Sequence, residues 1–433
     1  MEQIEKLVSC INDGGMDKQL KLLYGNSDML LNFQKDRFVK AINEFGKLFC
    51  DKDSEESEIR LLSVPGRSEI GGNHTDHNHG QVIACAVDLD IIAVVCKNNS
   101  GVIRIKSEGF DINVVDIGDN ILKEIERYHS NGLVRGVLAR LSELGYQTGN
   151  GFDAYTTSRV LKGSGLSSSA AFEIMVANII NHLYNEGKID PVVMAQVSQY
   201  AESKFFGKPC GLMDQLACAI GGFITIDFAD TEHMVIEKLN FDFASTDCML
   251  CIVNTSGTHS DLNEDYASIQ SEMKHVAGLM GHKYLRECEE MEFYSNIGVL
   301  RDNANDREIL RAIHFFGENA RVAKQVQALK TGNIEMFKNL IIESGRSSFM
   351  YLQNSYSINE PYKQGISLGL ALAERVLDGC GAWRVHGGGF AGTIQAFVPY
   401  DKADRFISAM NQVFGKSACY CLNVRKTGAC CLL

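Results

Sequence analysis

Proline is scarce: only 5 of 433 residues, with no Pro-rich linker along the chain. Basic residues are outnumbered, with 42 Lys and Arg against 54 Asp and Glu, a formal charge of −12. That balance argues against a nucleic-acid-binding surface, though not against a local basic patch at a phosphate site. Long hydrophobic runs are missing too. The longest apolar stretch, residues 91–96, is far too short to span a bilayer. The first residues, MEQIEKLVSC, have no basic start and no apolar stretch of signal-peptide character, so no export signal is expected. Internal repeats and low-complexity segments are absent. Global disorder is excluded, because 45% of the residues are hydrophobic and 22% charged. These absences predict a cytoplasmic globular protein with no membrane or nucleic-acid partner.

Cysteine and glycine are plentiful. The 14 cysteines are spread over the chain, many in apolar runs, and read as reduced, buried thiols. Cys248 and Cys251 form a CxxC, and Cys419 and Cys421 a CxC. The CxxC sits in a strand-like stretch, where packing is expected rather than zinc binding. The terminal CCLL fits a prenylation box in form, but the segment before it reads as a buried final strand.

Several of the 40 glycines cluster in three places: residues 66–80, 163–165 and 387–392. Around them, the first 50 residues read as helical, and residues 57–65 as a strand. A strand pair is expected over residues 82–96. Helical patterns follow at residues 121–128, 133–144, 168–186 and 191–206. Strands restart near Gly222, helices dominate residues 262–378, and strands close the chain. The fold class expected is α+β, in two units, 1–222 and 223–433, with the site in the cleft between them.

The central turn, Leu161-Lys162-Gly163-Ser164-Gly165-Leu166-Ser167-Ser168-Ser169, joins a strand to a helix. Glycines let the backbone approach a ligand, and the helix that follows presents unsatisfied N–H groups. Together these make a phosphate cradle, and the serines add hydroxyls for phosphate or Mg²⁺. No Walker A spacing is present. A plain glycine turn with serine caps is the other reading of the same residues.

All three clusters together resemble the three-motif layout of the GHMP small-molecule kinases, in detail the galactokinase family. GRSEIGGNHTDHN, GSGLSSSA and GGGFAG stand where that family carries its three signatures, and AESKFFGKPCGLMDQ and NEDY are similar to it as well. The resemblance runs from about residue 60 to the C-terminus. It implies the two-lobed GHMP kinase fold and transfer of a phosphoryl group from ATP, with Mg²⁺, to a sugar's anomeric hydroxyl. By the same resemblance Asp214 is the base or orienting group and Arg67 the catalytic arginine. Asn73, His74, Asp76, Asp214 and Tyr266 contact the sugar. Gly163, Ser164, Gly165, Leu166, Ser167, Ser168, Ser169 and Gly388 hold the ATP phosphates, and Ser169 and Glu202 hold Mg²⁺. Read without the family, Asp214 is equally a helix N-cap, Arg67 a surface arginine and Glu202 a solvated helix residue. His74, His77 and His79 also raise a zinc cluster, for which no fourth ligand is evident.

Several positions depart from the family. Asn73 replaces a usual Glu, Glu69 a usual Asn, His77 a usual Tyr, and His386 a usual Thr. Galactose remains the first expected substrate; galacturonate, arabinose or an N-acetylhexosamine are alternatives. A non-catalytic sugar- and ATP-binding regulator is the rival class. The intact Ser-Ser-Ala core, with Arg67 and Asp214, favours an enzyme.

Overall fold

The computed structural model describes residues 2–50, 58–160, 165–208, 210–256, 262–390 and 392–433. Its first sheet is built on β1 (Arg60–Gly71) and β2 (Gln81–Lys97), two long strands that are buried almost throughout. β3 (Val102–Ser107), β4 (Ile112–Asp116), β5 (Phe152–Ser158), β6 (Phe223–Asp227) and β7 (Val235–Leu239) extend it. A second sheet contains β8 (Cys248–Asn254), β9 (Ala382–Val385), β10 (Thr393–Pro399) and β11 (Cys419–Leu422), in the order β11-β8-β10-β9. The final strand, β12 (Cys430–Cys431), returns to the first sheet and gives the order β12-β1-β2-β5-β3-β4. Among the described residues, only β3 and β5 pair in parallel.

Burial on both faces explains the nearly continuous apolar run of β2. Ile91, Ala93 and Val95 join the main core, while Ile92 and Val94 face the opposite way. Helices α1 (Glu2–Asn12), α2 (Asp17–Tyr24) and α3 (Asp28–Phe49) cover that second face. The N-terminal 50 residues are therefore half of a sandwich around the sheet. Helix α4 (Ser130–Glu143), α5 (Ser168–Tyr184), α6 (Pro191–Tyr200) and α7 (Met213–Ile220) pack on the main-core side.

The sheet changes three expectations. Residues 82–96 form one strand and not a pair. Its two aspartates do not break it, because Asn423 binds Asp88, while Arg37 and Arg425 bind Asp90. Residues 121–128 contain a single 3₁₀ turn, Glu124–Glu126, in place of a helix; Ile121 and Ile125 are exposed, so no buried face supports one. The boundary at Gly222 falls inside the first sheet. β6 pairs with β2 and β7 with β6, so the chain leaves this sheet between Leu239 and Cys248.

The second unit adds α8 (Asn263–Leu279), α9 (Glu290–Ser295), α10 (Ile297–Leu300), α11 (Asp306–Lys330), α12 (Ile334–Ser347), α13 (Gly365–Leu377) and α14 (Ala403–Phe414). Leu250 and Ile252 of β8 share a core with β2 and β6, so the two units pack continuously. No helix of the described residues is long and apolar enough to cross a membrane.

Candidate active site

Arg67 lies where β1 shifts register against β2, and its backbone N–H donates to Leu166 O at 3.2 Å. The bulge turns its side chain toward α7. There its Nε and Nη2 donate to Asp214 Oδ1 and Oδ2 at 2.7 and 2.6 Å, a two-pronged pair. The remaining Nη1 donates to Gly165 O. One guanidinium thus ties the α7 carboxylate to the central glycine turn. Burial opposes the charge on Arg67, but Asp214 outweighs it and leaves the guanidinium more firmly protonated.

Asp214 does not cap its helix. α7 begins at Met213, Leu212 is the cap position, and the Asp214 side chain turns to Arg67 and stays about one third exposed. Ser167 Oγ also donates to Asp214. Ser167 adopts a left-handed φ of 57° and supplies no side-chain cap to α5. The first-turn N–H groups of α5 are therefore without a serine cap. Gly165 has φ +72°, and a Cβ there would meet the His386 ring at 3.1 Å. Gly163 and Ser164, with Leu161 and Lys162, lie outside the described residues. Leu166 is fully buried in the main core, so its backbone, not its side chain, faces Arg67.

Glu202 is no solvated helix residue: it is 2% exposed, in a single π-helical stretch, Ala201–Phe206, that continues α6. Ser169 Oγ donates to Glu202 Oε1 at 3.0 Å, and Lys208 Nζ to the same oxygen at 3.1 Å. Gln215 Nε2 donates to Glu202 Oε2 at 2.9 Å and to Glu173 Oε2 at 3.2 Å. Buried Glu173 Oε1 and Gln215 Oε1 have no hydrogen-bond partner among the described residues. A hydroxyl, a carboxylate and spare buried oxygens form a hard donor set, and it fits Mg²⁺. Burial, reinforced by Glu202, pushes the Glu173 carboxyl up.

The sugar signature loop is clamped by the second unit. Asn73 is completely buried and its amide is saturated. Nδ2 donates to Glu69 Oε1 and Gly387 O; Oδ1 accepts from Ser348 Oγ and Asn354 Nδ2. In this arrangement the Asn73 amide is spent on the protein itself, and a sugar contact there requires one of these bonds to be exchanged. His74 is engaged as well, through His77 Nε2 at 3.0 Å and Gly388 O at 2.9 Å. Burial depresses its pKa to about 3. Asp76 and His77 remain about one quarter exposed, paired at 2.9 Å. They line a cavity of about 480 Å³ with Gln199, Gly211, Lys274 and Tyr284. The histidines do not converge on a metal position: no three His, Cys, Asp or Glu ligand atoms gather in this loop among the described residues.

Tyr266 donates to Gly389 O at 3.1 Å and lies against the third glycine turn. A Cβ on Gly388 would sit 2.3 Å from its ring, which is why glycine is required there. Gly388 O is taken by His74 and Asn354, so in this arrangement the turn braces the sugar loop. His386 bridges Ser68 Oγ and Thr393 Oγ1. Sequence reasoning missed the residues that hold the signature from the far unit: His314, Glu318, Asn354 and Arg384. They lie more than 240 positions away and belong to no recognisable motif.

Comparison with known proteins agrees with this geometry. The family model "GHMP kinases N terminal domain" matches residues 132–222, and "Galactokinase galactose-binding signature" matches residues 43–97. The chain is 30% identical to the galactokinase of Clostridium tetani, covering 87% of this chain and 93% of that one. It is 32% identical to the galactokinase of Glaesserella parasuis, covering 80% and 86%. The chain belongs to the galactokinase family. Galactokinases and the wider GHMP kinases also share its fold. Lactococcus lactis galactokinase complexed with galactose superposes with a TM-score of 0.74 at 23% identity, covering 90% of this chain and 98% of that one. Methanococcus jannaschii mevalonate kinase gives 0.61 at 14%, covering 86% and 99%. Glu69 and Asn73, the two positions set apart from the resemblance above, are in contact at 3.1 Å. Arg384 Nη2, 2.6 Å from Glu69, meets that carboxylate.

Proposed function

We propose that this protein is a cytoplasmic, ATP-dependent sugar 1-kinase that converts galactose and ATP to galactose 1-phosphate and ADP. The observation that carries this reading is the Arg67 guanidinium, bound on one side to Asp214 and on the other to the turn that opens α5. Phosphoryl transfer asks a protein mostly for positioning and charge stabilisation. Asp214 orients the anomeric hydroxyl and accepts its proton. Arg67 holds the Asp214 carboxylate in place and offsets charge developing on the phosphoryl oxygens. The glycine–serine turn, Gly163 to Ser169, and the α5 N-terminus cradle the ATP phosphates.

Ser169 and Glu202 hold Mg²⁺, which when bound neutralises phosphate charge. Lys208, now on the same carboxylate, yields that oxygen or stays as a second cation. Asp76 with His77 presents the accessible polar edge for the sugar, and His74 supports them from behind. All fourteen cysteines are free, in keeping with a reducing compartment.

Turnover measured across a sugar panel at fixed ATP tests the proposal, with Asp214→Ala as control. Galactose is expected to be phosphorylated by the wild type and not by the variant. If galacturonate, arabinose or an N-acetylhexosamine is phosphorylated and galactose is not, the substrate is wrong. If galactose and ATP bind without turnover, the protein is a regulator.

A further inference from the structure

A strand sets alternate side chains on opposite faces, so the CxxC of β8 cannot act as a pair. Cys248 joins the main core, whereas Cys251 faces α13 and α14. The CxC of β11 has the opposite property: two residues apart, Cys419 and Cys421 share one face. The antiparallel register then sets Cys421 directly opposite Cys251. All three sulfurs lie within 4.8 Å of one another, with Cys251 Sγ and Cys421 Sγ 3.8 Å apart. Around a tetrahedral zinc with sulfur at about 2.3 Å, neighbouring thiolates are spaced by about 3.8 Å. One edge of such a site is therefore already formed by the sheet.

No other group of three His, Cys, Asp or Glu side chains among the described residues comes this close. Exposure rises in steps, from buried Cys251 through half-buried Cys419 to exposed Cys421. A cation thus has a path from the edge of the sheet, and water has room as a fourth ligand. Cys419 N–H donates to Asn411 Oδ1 of α14 at 3.1 Å, which fixes β11 against the helix. An all-sulfur donor set selects soft metals and ignores Mg²⁺, so this cluster does not compete for the metal of the cleft.

We propose that Cys251, Cys419 and Cys421 form a zinc site with three protein thiolates and one solvent ligand, clipping edge strand β11 to β8. Reduced, metal-free full-length protein titrated with zinc against a chromophoric chelator tests it. One zinc per chain is expected, with affinity at least about tenfold weaker in Cys421→Ser and in Cys419→Ser. Cys248→Ala, on the opposite face, is expected to bind as the wild type does. Cobalt in place of zinc is expected to give thiolate charge-transfer and tetrahedral visible bands that Cys421→Ser lacks. Zinc should also raise the melting temperature of the wild type and not of Cys421→Ser. Cys421 is exposed, so that variant keeps its fold, checked by circular dichroism. Absence of one-to-one binding, or undiminished binding by Cys421→Ser, overturns the site.

Discussion

Two buried carboxylate clusters flank the cleft and differ in how completely they are satisfied. Glu318 of α11 is fully buried; its Oε1 accepts from Gly72 N at 3.1 Å, Asn73 N at 3.3 Å and Ser344 Oγ at 2.7 Å. Arg321 takes the other oxygen. Burial pushes the Glu318 carboxyl up, but Arg321, His314 and Arg384 override it and bring it down to about 2. Glu173 and Glu202, across the cleft, are as deeply buried and share one amide of Gln215, while Glu173 Oε1 has no partner among the described residues. The same residue type at the same depth thus does opposite work. A saturated carboxylate pins a loop; across from it Glu173 Oε1 is left unsatisfied beside Glu202, which supports the proposed cation site.

If the comparison holds, damage on the receptive side lowers activity and leaves stability intact, and damage on the pinned side does the reverse. The largest effect is expected at Arg67→Lys, which keeps the charge and loses the fork to Asp214. A fall in kcat of about 10²-fold or more is expected, with an unchanged melt. A collapsed melt with kcat preserved in the remaining folded protein would make Arg67 another structural pin and erase the contrast. Next comes Glu318→Gln, expected to cost about 2–4 kcal/mol of stability by denaturant melts.

Its pH dependence has a definite sign. A carboxyl depressed in the folded state stabilises above its unfolded pKa, and that contribution disappears as pH falls through the folded value. Wild-type stability is therefore expected to decline from about pH 4.5 toward pH 2 more steeply than that of Glu318→Gln. Parallel declines would mean that Glu318 is not the pin.

The receptive half was far more legible in the sequence than the pinned half. Arg67, Ser167 and Ser169 sit in or beside glycine-rich turns, which composition marks locally, and Glu202 and Asp214 lie in the segment AESKFFGKPCGLMDQ that carries the family resemblance. Glu318, His314 and Arg384 sit within an ordinary helix and an ordinary strand, with nothing in their neighbours to mark them. Their importance comes from contacts across more than 240 positions. The saturation of Asn73 was hidden because a motif gives a residue's identity and not its hydrogen-bond partners. The strands of β1 and β2 were legible in outline, yet β6 and β7 read as the start of a new unit. Hydrogen-bonding back to β2 is a choice of edge that alternation of side chains does not encode. The thiol cluster was hidden likewise, since CxxC spacing drew attention to Cys248 while the ladder pairs Cys251 with Cys421.

A smaller effect sharpens the pinned side. Glu69→Asn leaves buried Arg384 without its carboxylate, and Asn73→Glu brings two carboxylates together. Each single variant is expected to lower stability by about 1–2 kcal/mol in denaturant melts, with sugar KM unchanged. Combined, they restore one carboxylate and one amide in the family's usual order. Recovery in the double variant, with a coupling of about 1–2 kcal/mol in a double-mutant cycle, is expected. Additive losses would show that positions 69 and 73 do not act as a pair.

The smallest effect falls where the two halves meet, at His77. Burial disfavours its charge, but ionised Asp76 at 2.9 Å more than compensates, and its pKa rises above the ordinary value. A raised histidine contributes in full at low pH, and the contribution fades as pH climbs through the folded pKa. The pair that orders the sugar edge is thus lost on the alkaline side. Sugar KM is expected to rise a few-fold between about pH 6 and about pH 9 in the wild type. His77→Tyr, the residue usual in the family, has no charge to lose over that range and is expected to flatten the profile at unchanged kcat. A wild-type profile already flat, or a variant profile that still bends, would place His77 with the saturated residues behind it and move the line between the two halves forward to Asp76.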